Sequence, residues 1–103
     1  MNIIELKKSA LHLEEQLNIH SKIDPEAIAL HSELRQLLEK AKTGNVTEPI
    51  EVGAVPGRYR FTERNLQQYG ELEEAYAKFS IEITDGETPA LKYFRELLKQ
   101  QQR

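Results

Sequence analysis

Apolar positions recur along the first forty residues at helical spacing. Ile3, Leu6, Ala10, Leu13 and Leu17 follow one another at intervals of 3, 4, 3 and 4, which aligns them on one face of an α-helix. Asn2 stands where an N-cap belongs, and Glu5, three residues on, is placed to complete a capping box. The pattern breaks over residues 18–21 and restarts at Asp24-Pro25-Glu26. That triplet supplies an N-cap aspartate, a proline at the first helical position and a carboxylate near the positive end of the helix dipole. Ala27, Leu30, Leu34, Leu37, Leu38 and Ala41 form the second stripe, and Gly44-Asn45 supplies a left-handed stop. Two stripes of similar length on a short connection predict an antiparallel helical hairpin over residues 2–43, packed stripe to stripe.

The next stretch, residues 44–62, is broken by Gly44, Pro49, Gly53, Pro56 and Gly57, too many interruptions for a long helix. Within it Ile50-Glu51-Val52 and Tyr59-Arg60-Phe61 alternate apolar and polar, the pattern of a short strand. Leu72, Ala75, Tyr76 and Phe79 then share a helical face, whereas Phe79, Ile81 and Ile83 alternate before the turn signal Asp85-Gly86. Two readings follow: a helix over residues 63–83, or a helix ending near Lys78 with a strand after it. The helix is preferred, because a strand here would need partners that only the broken segment before it could supply. Thr88-Pro89 opens a last predicted helix over residues 88–101, with Leu91, Phe94, Leu97 and Leu98 inward, ahead of a frayed polar end. The expected fold class is all-α, a small helical bundle built on the N-terminal hairpin. The alternative is α+β, with a short sheet from residues 50–62 and 78–84.

Length restricts this plan to one domain: 103 residues support a single core. A hydrophobic share of 39% with 30% charged residues describes a soluble globular chain and excludes a disordered one. No apolar run approaches the length of a transmembrane helix. The first eight residues carry Glu5, Lys7 and Lys8 where a signal peptide needs its apolar stretch. The absence of cysteine removes disulfides, thiol nucleophiles and cysteine-bound metal, so the expected location is the cytoplasm. The net charge of −3 argues against nucleic acid as a partner. The charge is also unevenly spread. Residues 63–87 set Glu63, Glu71, Glu73, Glu74, Glu82, Asp85 and Glu87 against Arg64 and Lys78, a net of −5, and residues 88–103 sum to +3.

Few side chains stand in patterns that carry chemistry. His12, His20 and His31 are not spaced as ligand pairs, and His12 with Glu15 supplies half a metal site at best. Gly53-Ala-Val-Pro-Gly57-Arg58 has a phosphate loop's glycines but lacks the Lys-Ser/Thr that grips phosphate and magnesium, so it reads as a structural turn. No serine sits in a nucleophile elbow. Glu71 and Glu74 lie one helical turn apart, but catalysis would need converging partners and burial to raise a carboxyl pKa. Arg58-Tyr59-Arg60 interleaves cations with an aromatic ring, too few cations for a base-stacking surface. Tyr69 beside Gly70 is either a surface anchor or a ring packed on the hairpin. No enzyme activity, cofactor or metal is expected.

The layout nevertheless resembles a family. A helical hairpin over residues 2–43, then Ile50-Glu-Val52-Gly53, then Glu71-Leu72-Glu-Glu-Ala75 in an acidic helix, is similar to small all-helical bacterial immunity proteins. These are the partners of toxins delivered by type VI secretion, including NAD(P)-degrading toxins. The likeness spans residues 2–83 in layout, and Pro56 and Gly57 depart from its pattern. It implies a binding protein that docks on a toxin domain and blocks its active site. The residues expected to make that contact are Tyr59, Glu63, Tyr69, Glu71 and Glu74, with no nucleic acid or membrane involved. A second expectation, of a different class, is a small scaffold or adaptor that forms a homodimer along its leucine-rich hairpin stripes.

Overall fold

A computed structural model describes residues 2–51 and 53–84. The helix expected over residues 88–101 lies outside them. In chain order the elements are α1 (Ile3–His20), α2 (Pro25–Lys42), α3 (Tyr59–Thr62), a 3₁₀ turn (Leu66–Gln68) and α4 (Gly70–Ile83). Every regular element among the described residues is helical, so the fold is all-α and the short sheet of the alternative does not form there.

The hairpin starts and stops where its capping residues require. Asn2 accepts from the Glu5 amide at 3.0 Å, and Asp24 accepts from the Glu26 amide at 2.9 Å with Pro25 in the first helical position. The Ser21 and Thr43 hydroxyls donate to carbonyls four residues back, at 2.6 and 2.8 Å, and Gly44 takes φ +74° just beyond α2. Leu6, Ala10, Leu13 and Leu17 face Ala27, Leu30, Leu34, Leu38 and Ala41, all buried. Ile3, at the open end of the first stripe, stays 46% exposed.

α1 packs against both α2 and α4. Its buried face is therefore broader than the predicted stripe and takes in Ser9 and Gln16 as well. From α4, Leu72, Ala75, Tyr76, Phe79 and Ile83 complete the core. Because both hairpin stripes are filled from within the chain, neither is left open as a dimer seam.

An ion network ties α1 to α2. Lys42 Nζ lies 2.8 Å from Glu14 Oε1 and 3.0 Å from Glu39, and His31 Nε2 lies 3.6 Å from the other Glu14 oxygen. The Lys42 hydrogen bond holds the Glu14 carboxyl below its ordinary pKa, and the Glu14 bond raises Lys42 above its own. A depressed carboxyl contributes stability at pH values above its unfolded pKa and loses it as the pH falls through the folded one. Glu14→Gln is therefore expected to cost about 0.5–1 kcal/mol at pH 7, a small sum because the pair is partly exposed. Urea midpoints measured across pH should show the difference from the unsubstituted protein shrinking below about pH 4.3. A gap that stays constant through that window would assign the cost to packing.

The breaker-rich connection becomes a strap that runs back along the hairpin, from the end of α2 to Leu30 in its first half. Val46 is buried, Ile50 packs on the core, and the Ile50 amide donates to the Ile83 carbonyl at 3.0 Å, satisfying a C-terminal group of α4. Residues 59–61, which alternate like a strand, are helical instead. Only Phe61 turns into the core, while Tyr59 and Arg60 lie against α2. The acidic helix also begins later than residue 63. Asn65 at φ +63° breaks the course after α3, the 3₁₀ turn buries Leu66, and the long helix starts at Gly70. It runs on to Ile83 because Phe79 and Ile83, four apart, are fully buried while Ile81 between them is 40% exposed.

Candidate partner-docking face

The strap, α3 and α4 enclose a groove of about 500 Å³ whose walls include Val55, Arg58 and Phe61 on one side and Glu73, Tyr76 and Ile81 on the other. Tyr76 gives it its shape. The phenol sits on the buried face of α4 and its hydroxyl reaches across the groove floor, donating to the Pro56 carbonyl at 2.9 Å. The ring packs on Phe61 with centroids 4.7 Å apart. Burial pushes its pKa up to about 12, so the hydroxyl stays protonated and remains a donor. Tyr76→Phe is expected to cost about 1 kcal/mol, the net worth of one such bond. The check is thermal unfolding together with amide exchange of the strap, where protection should fall over residues 53–58; unchanged exchange would remove Tyr76 as the tie.

The residues expected to meet a partner fall on different parts of this end of the molecule. Tyr59 is 43% exposed on α3 and leans toward α2, its hydroxyl 3.3 Å from Glu33 Oε1. The Arg60 guanidinium lies 4.9 Å from the Tyr59 ring centre, near the distance of a cation–π contact. It also clamps α3 to α2: Nη1 is 2.6 Å from Glu26 and Nε is 2.8 Å from Glu33. Glu63 is exposed just past α3, and Glu71 and Glu74 are exposed on α4.

Tyr69 is tied to the hairpin. Its hydroxyl donates to Asp24 Oδ2 at 3.0 Å, and its ring lies 4.5 Å from that of His20. The bond to Asp24 raises the phenol above its ordinary pKa. Asp24 thus caps α2 with one oxygen and anchors the start of α4 with the other.

Three residues that line the groove are outside the expected contact set: Arg58, Glu73 and Tyr76. The helical spacing places Tyr76 inward, but nothing in it says that its hydroxyl bridges twenty residues back to Pro56. Gly53-Ala-Val-Pro-Gly57-Arg58 is a turn, as its composition suggests, held between α2 and α4. Among the described residues no three histidine or carboxylate side chains converge as metal ligands, and no helix is long and apolar enough to cross a membrane. Compared with protein-family models, with curated proteins and with solved structures, the chain finds no match.

Proposed function

We propose that this chain is a non-catalytic binding protein of the immunity type, acting in the cytoplasm, that docks on a toxin domain and blocks its active site. One observation carries the reading. Glu63, Glu71, Glu73 and Glu74 are all exposed, none has an ion-pair partner among the described residues, and Glu73 lines the groove. Unpaired carboxylates on and just before the helix that walls an apolar groove suit a partner that presents a basic rim around a protruding side chain. They would also accelerate encounter with it by electrostatic steering. The layout that resembles the immunity family includes an acidic helix, here Glu71-Leu72-Glu-Glu-Ala75.

The test begins with affinity capture of the tagged protein from its own host, which should yield one stoichiometric protein with a basic active-site cleft. With that partner, the double variant Glu71→Lys/Glu74→Lys is expected to slow association by roughly tenfold or more at low salt. The gap should narrow as ionic strength rises toward about 0.5 M, and thermal unfolding should not change. Association as fast as that of the unsubstituted protein would remove α4 from the interface.

A further inference from the structure

Opposite its buried face, α1 presents a second apolar line. Ile4, Leu11 and Ile19 are 68%, 49% and 48% exposed, and Lys8 and Glu15 fill the positions between them. Steps of four, three, four and four place all five on one side of the helix. The core is already served by Leu6, Ala10, Leu13 and Leu17, so this line has no role within the described fold.

We propose that this outer face of α1 is a homodimer surface, with a second copy of the chain docked antiparallel along it. The charges select both partner and direction. Antiparallel pairing with Ile4 against Ile19 of the second copy brings Lys8 opposite its Glu15, and the two-fold axis repeats both contacts. Leu11 then packs against His12 of the second copy on either side of the axis at the centre. Parallel pairing would set lysine on lysine and glutamate on glutamate, and sliding by one turn would bury Lys8 against Ile19. One register therefore satisfies every position, as a self-complementary two-fold contact requires. An eighteen-residue helix is about 27 Å long, so a single helix-to-helix seam lies at the low end of specific interfaces. The expected dissociation constant is of order 10⁻⁴ M.

Sedimentation of the full chain from about 10 µM to about 1 mM brackets that constant. The mass should climb from one copy toward two. Leu11→Lys should keep the helical circular dichroism and remain a monomer throughout. Lys8→Glu and Glu15→Lys should each weaken the dimer roughly tenfold, and the two together should restore it, because the swapped charges again face their opposites. A chain that stays monomeric at the highest concentration overturns the proposal, whether the face is then covered by residues 85–103 or kept for another protein. A dimer indifferent to Leu11→Lys, or a double swap that fails to restore it, overturns it equally.

Discussion

Gly57→Ala is expected to destabilise the protein by about 3 kcal/mol and to lower its melting temperature by roughly 15 °C. Two effects combine at this position. Gly57 sits at φ +92°, where a side chain is strained whatever the surroundings, at about 1–2 kcal/mol. A Cβ there would also lie 2.2 Å from Leu30 Cδ1, and Leu30 is fully buried in α2 with little room to turn aside. Overpacking of this kind costs about 1–3 kcal/mol. The two parts separate in a double-mutant cycle. In a Leu30→Ala background the added methyl has space, so Gly57→Ala should lose only its backbone share, and the pair should be coupled by at least about 1 kcal/mol. Strict additivity would show that the strap does not approach α2 this closely. The consequence for binding is indirect, since the strap forms one wall of the groove and a displaced strap opens it.

Phe79→Ala should cost about 4 kcal/mol, the loss of a fully buried aromatic ring and the cavity it leaves. Phe79 lies mid-way along the face by which α4 enters the core, so its removal loosens the helix that carries Glu71, Glu73 and Glu74. Chemical denaturation should show a lower midpoint with an unchanged slope, and Phe79→Leu should recover all but about 1.5 kcal/mol. A slope that falls instead would mean that α4 separates before the hairpin unfolds. In either case Phe79→Ala differs from charge reversal at Glu71 and Glu74, which alters encounter with a partner while leaving the fold in place.

The hairpin was legible because its information is local. A helical stripe, an N-cap, a proline in the first turn and a left-handed stop each act within four residues of one another, and all appear where their chemistry requires. The same holds for α4 at Ile83: burial of every third or fourth side chain decides between helix and strand, and no strand partner is present among the described residues. Residues 59–69 were harder. Tyr59-Arg60-Phe61 has the alternation of a strand, and what makes it a helical turn is Phe61 filling the core while Arg60 is held by two glutamates more than twenty-five residues away. The start of α4 lies beyond the predicted residue 63 for the same reason: the break at Asn65 and the anchoring of Tyr69 on Asp24 depend on where the hairpin turn stands in space.

The candidate site divides along the same line. Sequence alone determined that the chain would be a cysteine-free helical hairpin followed by an acidic helix, because charge runs and helical periodicity are properties of neighbours. It also marked the carboxylates of that helix as its most distinctive chemistry. Only tertiary structure decided that Glu73 borders a groove, that Tyr69 belongs to the hairpin end, that Gly57 must lack a side chain, and that an outer stripe of α1 is left uncovered by the described residues. Each of those depends on residues that meet across twenty or more positions, or on a face the core leaves uncovered. No pattern within a few residues carries that information.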